Sequence, residues 1–148
     1  MWNNNNKTDN KMKRLIIILA ILLGAITASA QEDDAQKFKG KIGDFDITAV
    51  YMSLREIGSV EVGDSIGYYY YTDRPKTKFT LRLKDYDEVM NETSFRVSYH
   101  VVLGEYTPKG FNSGTFDGWT SAMSDNLSGT FTNSQGKEYD FWININSD

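Results

Sequence analysis

The feature that most constrains this chain is an alternation of apolar and polar side chains with a period of two residues. In Lys78-Phe79-Thr80-Leu81-Arg82-Leu83-Lys84, Phe79, Leu81 and Leu83 point one way, and the residues between them point the other. Phe95 to Val101 repeats the pattern, as does Tyr139 to Ile145, where Trp142 falls on the polar side. Such a period belongs to a strand with one buried face. Asp46 to Leu54 and Ile66 to Thr72 are rich in the β-branched and aromatic residues that suit a pleated, half-buried surface. Leu127 to Thr132 and Gly114 to Thr120 are shorter candidates.

The segments between these runs carry turn chemistry. Asp73-Arg74-Pro75-Lys76 contains a proline that cannot donate to a ladder. Asp85 to Asn91 reads as a polar connection, Tyr106 to Gly110 as a second, and Asn133-Ser134-Gln135-Gly136 as a hairpin loop. Ser121 to Asn126 has room for one helical turn, and no long amphipathic helix is present. Links this short favour sequential antiparallel pairing over parallel crossovers. The expected fold is therefore all-β: an antiparallel up-and-down meander of seven or eight strands that forms a small barrel or a strongly twisted roll. Closure would hide the strand edges. Phe79, Leu81, Phe95, Val97, Tyr99 and Phe141 are expected to point inward.

Residues 1–30 read as an N-terminal extension and signal peptide, leaving residues 31–148 as one β domain. Lys13-Arg14 precedes an apolar run from Leu15 to Ile26, which ends in Ala28-Ser29-Ala30. Positive charge, a short apolar segment and small residues in that order match a secretory signal, with cleavage between Ala30 and Gln31. The run spans 12 residues, well short of the roughly 20 that cross a bilayer as a helix. Met12 begins the more ordinary signal, and the expected true start is there rather than at Met1. Gln31 to Gln36 forms a polar leader. The expected location is periplasmic or secreted, with no stable membrane span after cleavage.

The chain has no cysteine. Disulfides, a lipid-modified cysteine, thiolate catalysis and zinc–sulfur sites are all excluded, so the barrel must stand on packing alone. Residues 1–30 carry four basic residues and one acid, and their removal takes the formal charge from −4 to about −7. That balance argues against a nucleic-acid partner, whose phosphates need clustered positive charge.

Glycine recurs beside aromatic strand residues: Gly67-Tyr68-Tyr69-Tyr70-Tyr71, Leu103-Gly104-Glu105-Tyr106, Gly114-Thr115-Phe116-Asp117-Gly118, Ser128-Gly129-Thr130-Phe131 and Gly136-Lys137 before Tyr139-Asp140-Phe141. Glycine at such places lets a strand bend or a ring lie over bare backbone. On these segments the chain resembles a group of small exported, mostly uncharacterised β-rich proteins of Bacteroides-type bacteria. The resemblance implies an exported β domain and transfers no catalytic residue.

Four aromatic residues are the candidate ligand-binding positions. Tyr69 and Tyr71 share one face of the Tyr68–Tyr71 run, and tyrosine combines a flat apolar ring with a polar tip. Trp119 is an aromatic outlier in its segment, and Trp142 places an indole on a polar strand face, where it would be adhesive. His100 is the only histidine and lies on a polar face; without a second histidine or a nucleophile elbow it suggests neither a metal site nor a triad. Glu56, Glu61, Glu88, Glu92, Glu105 and Asp117 could serve glycoside hydrolysis only if two of them converged. Asp85-Tyr86-Asp87-Glu88 lacks the spacing and glycine of a calcium loop. Asn91-Glu92-Thr93 and Asn126-Leu127-Ser128 are glycosylation sequons, and Asp64-Ser65-Ile66 resembles a short O-glycosylation motif.

The expected function is that of a non-catalytic exported binding module of the cell envelope, without cofactor or metal. Its partner would be a protein or a glycan in the envelope or outside the cell. The alternative is a small barrel that carries an apolar ligand, followed by a small hydrolase. A connected internal cavity above about 300 Å³ would favour the carrier.

Overall fold

A computed structural model of the protein describes residues 36–51, 58–121 and 124–144. The expected signal segment with its Ala30–Gln31 junction, and Glu56, lie outside the described residues. Among the described residues eight strands follow one another: β1 (Lys37–Ile42), β2 (Phe45–Tyr51), β3 (Ser65–Tyr71), β4 (Phe79–Asn91), β5 (Arg96–Tyr106), β6 (Asn112–Ser121), β7 (Ser124–Asn133) and β8 (Glu138–Asn144). Each pairs antiparallel with the next, and β1 pairs with β8 to close an up-and-down barrel. Closure is what the short links and the alternation demand: every strand has one apolar face, and a cylinder buries all eight at once.

Inward positions carry the core. Phe38 and Ile42 of β1, Ile47 and Ala49 of β2, Leu81 and Leu83 of β4, and Val101 and Leu103 of β5 are buried, with Phe116, Leu127, Phe131, Phe141 and Ile143 from β6 to β8. Phe116 is the hub: its ring meets Phe131 at 4.6 Å, Phe141 at 5.0 Å and Tyr69 at 5.5 Å. Glycine makes room for these rings. A Cβ at Gly114 would lie 2.6 Å from ring carbons of Phe131, and one at Gly118 would lie 2.8 Å from Phe141.

Four links gather at one end of the barrel: Gly43-Asp44, residues 72–78, residues 107–111 and residues 134–137. The last is the turn expected at Asn133–Gly136. The Asn133 side-chain oxygen accepts from the Gln135 and Lys137 amides, and Gly136 takes φ +77°, which a side chain would resist. This end forms the mouth considered below.

Four readings of the sequence are corrected. Lys37–Ile42 is a strand in its own right, whereas the alternating runs began at Asp46. Asp85 to Asn91 is not a connection; it continues β4 against β5 out to Asn91↔Arg96. Register shifts between Leu83 and Asp85, so Lys84 is an extra residue that reverses the facing of everything after it. Tyr86 is thereby turned to stack on Tyr99, at 5.6 Å and 17°. Phe95 does not point inward. It sits in the tip of the β4–β5 hairpin, 82% exposed and at φ +51°. Where Ser121–Asn126 has room for one helical turn, Ser121 ends β6, Ser124 begins β7, and the two residues pair.

Candidate functional site

The four candidate aromatics fall into two places, one inside the mouth and one on the outer wall. Inside the mouth the organising residue is Glu105 of β5. It is only 5% exposed, and the alternation places it inward after Val101 and Leu103. Tyr69 of β3 is fully buried and donates its hydroxyl to Glu105 Oε2. Ser113 donates to Oε1 at 2.5 Å. Strand parity alone would turn Ser113 outward. The ladder passes from Glu105↔Gly114 to Tyr106↔Asn112, so Ser113 is the extra residue of a bulge, and its hydroxyl reaches back to the carboxylate.

Burial holds the Tyr69 phenol far above the ordinary tyrosine range, and the neighbouring Glu105 carboxylate pushes it further the same way. The phenol therefore stays protonated and donates. Tyr71, two residues along on the same face, is also raised, chiefly by burial. Its ring packs edge-on against Tyr69 at 5.8 Å and Phe45 at 6.0 Å. Tyr69 cannot offer a face for stacking: Phe79 covers it at 5.3 Å and 21°. Tyr71 instead lines a hollow of about 160 Å³ together with Phe45, Phe131, Tyr139 and Glu105.

On the outer wall the register places His100, Trp119, Ser128, Trp142 and Lys41 side by side across β5, β6, β7, β8 and β1. All five face outward because their strand neighbours Val101, Gly118, Leu127, Phe141 and Ile42 face in. Trp119 is 49% exposed and Trp142 43%. They stand two strand spacings apart, about 10 Å, with the small Ser128 between them. β1 meets Trp142 edge to edge through Lys41 rather than covering it. His100 lies against Trp119, ring centres 4.8 Å apart and tilted 30°, and its Nε2 contacts Asp117 Oδ1 at 2.6 Å. That contact fixes the imidazole beside the indole.

The remaining carboxylates do not converge. Glu105 faces into the barrel, Asp117 faces out, and Glu88 and Glu92 belong to the far hairpin. Among the described residues no serine hydroxyl joins the His100–Asp117 pair, and no three metal-binding side chains of His, Cys, Asp or Glu gather. Sequence reasoning named Glu105 only as one of several acids and passed over Ser113. The parity of β5 marks Glu105 as an inward charge, whereas the bulge that recruits Ser113 leaves no local signature.

No family model, curated protein or solved structure matches the chain.

Proposed function

We propose that the protein is an exported, non-catalytic binding module of the cell envelope, which contacts a protein or glycan through the outer wall around Trp119 and Trp142. One observation carries this reading: two half-exposed indoles on one outward row, flanking a small residue and buttressed by His100. An indole left half open keeps roughly 100 Å² of apolar surface in water, and covering it would contribute about 2–3 kcal/mol. Two such side chains at strand spacing present flat faces that a pyranose ring or an apolar peptide side chain can lie against. The wall around them is polar, with Lys41, Asp46 and Asp117 exposed or half-exposed. This apolar-in, polar-out alternation is the reverse of a barrel that faces lipid.

The interior supports a surface role over a carrier role. Phe38, Tyr69, Phe116, Phe131 and Phe141 occupy the barrel, and the hollow beside Glu105 is about 160 Å³, below the 300 Å³ or so typical of a ligand chamber; a hollow of about 340 Å³ lies outside it on the rim, among the exposed residues Asp44, Asp46 and Asp73. The test is capture from envelope or host extract by the wild-type protein, Trp119→Ala and Trp142→Ala in parallel. The expected result is a partner retained by the wild type and lost by both variants. Equal capture by all three refutes the outer-wall reading.

A further inference from the structure

Glu105 is a buried carboxylate with no cation paired to it among the described residues. Its two oxygens take hydroxyl protons from Tyr69 and Ser113, and among the described residues no lysine, arginine or histidine lies in ion-pair range. Hydroxyls satisfy part of its hydrogen-bonding capacity and none of its charge. A carboxylate accepts at about four lone-pair positions, so two remain. A buried charge in this condition is unfavourable unless something of opposite sign completes it.

The surroundings specify what would complete it. The hollow beside Glu105 is walled by the rings of Phe45, Tyr71, Phe131 and Tyr139, whose faces attract cations. Two of these rings already draw the chain's own cations: the Arg74 guanidinium lies 5.0 Å from the centre of Tyr71, and the Lys137 ammonium 5.0 Å from that of Tyr139. Phe45 also borders a second hollow on the rim, lined by Asp44, Asp46 and Asp73. Asp46 and Asp73 of that rim already pair with Lys41 and Arg74, each at 3.5 Å, so the attraction for a cation comes from the rings and Glu105 rather than from the rim carboxylates. A hard metal ion needs six or more oxygen ligands, which one carboxylate among aromatic rings does not supply. A cavity of about 160 Å³ admits a headgroup rather than a drug-sized molecule.

We propose that the barrel mouth is a binding site for a primary alkylammonium group, held by Glu105 as hydrogen-bonded counter-ion and by Tyr71 and Tyr139 as its aromatic walls. The carboxylate accepts from the ammonium N–H groups at its two free positions while Tyr69 and Ser113 keep it oriented. This site is separate from the Trp119–Trp142 wall, and neither reading depends on the other.

The test titrates n-butylammonium chloride into the full chain, at constant ionic strength, and follows the aromatic resonances of Tyr71 and Tyr139. Saturable shifts are expected with a dissociation constant on the order of 1 mM. The neutral isostere n-butanol should bind at least about tenfold more weakly, and Glu105→Gln should weaken butylammonium by about tenfold or more. Should Glu105→Gln fail to fold, Tyr139→Leu at the rim takes its place, with a loss of about threefold or more. Nα-acetyl-lysine methylamide, run alongside, assigns the site to a peptide side chain if it binds more tightly than butylammonium, and to a free amine if it binds more weakly. Equal binding of butanol and butylammonium, unchanged affinity in a folded Glu105→Gln variant, or the absence of any saturable shift overturns the proposal.

Discussion

Replacing Tyr69 with phenylalanine removes one oxygen from the middle of the barrel and little else. The ring keeps its stack on Phe79 and its edge contacts with Tyr71 and Phe116, so no cavity of consequence opens. What disappears is the hydroxyl given to Glu105, leaving a carboxylate that is 5% exposed with Ser113 as its one remaining hydroxyl donor. A hydrogen bond to a charged, buried acceptor contributes about 1.5–3 kcal/mol. For a domain of this size that corresponds to a fall in Tm of roughly 6–12 °C. The alkaline limb supplies a second, independent number. The folded Tyr69 phenol titrates well above the ordinary tyrosine range, because burial and then Glu105 disfavour its ionised form. Its contribution is therefore whole below pH 10 and declines as pH climbs above that, since the unfolded chain releases the proton while the native chain retains it. Each such phenol adds up to about 1.4 kcal/mol of lost stability per pH unit. Tyr69→Phe should consequently be less stable than wild type at pH 7 yet show a shallower decline above pH 10. The residual slope belongs to Tyr71 and Tyr86, both of which are also raised by burial. Urea denaturation at pH 7 and at two values above 10 measures both effects. A loss under about 0.5 kcal/mol at pH 7, together with parallel alkaline slopes, would refute the buried carboxylate–phenol pair.

Other perturbations test separate parts of the structure. Phe116→Ala empties the centre of the aromatic cluster and should lose about 3–5 kcal/mol in chemical denaturation; a loss below 1 kcal/mol would mean the rings do not share a packed core. Phe95→Gly should stabilise the protein by about 1 kcal/mol, because an exposed phenylalanine at φ +51° is held where glycine is at ease; destabilisation would show that the ring has a packing partner. Gly129→Ala should destabilise by at least about 2 kcal/mol, since its Cβ would meet the Asp117 carbonyl across the β6–β7 pair, and backbone cannot move aside as a flexible side chain can. Trp142→Ala, by contrast, should alter stability by less than about 1 kcal/mol, its indole being nearly half in solvent.

The strand-bearing part of the fold was legible wherever alternation ran unbroken. Phe79, Leu81 and Leu83 announced β4, and Phe141 and Ile143 announced β8, because each inward site holds a large apolar side chain. β1 escaped because its central inward residue is Gly40, which reads as a gap. The glycine is there because β8 comes so close that a Cβ would lie 3.1 Å from the Ile143 Cα. The second half of β4 escaped because the bulge at Lys84 shifts the period by one, so the residues beyond it no longer match the template set by Phe79. Phe95 misled for the opposite reason: it fits the alternation of β5 but lies in the turn before that strand begins.

The sites divide in the same way. Trp142 stood out because an indole on a polar face breaks a strong local rule, and it is exposed where parity places it. Tyr69 and Tyr71 were correctly assigned to one face, but parity does not say whether that face meets ligand or core. Phe79 stacking over Tyr69 decides it, and that contact comes from the adjoining strand. Ser113 could not be found at all. Its inward turn depends on a register shift against β5, which is a property of two strands rather than of one segment.

Binding through the outer wall is tested most directly by hydrogen exchange on the protein with and without the partner it captures from envelope or host extract. Slowed exchange centred on Trp119, Ser128 and Trp142 in β6, β7 and β8 is the predicted result. Protection confined to the β4–β5 hairpin, or to the loops at the mouth with this wall unchanged, would contradict it.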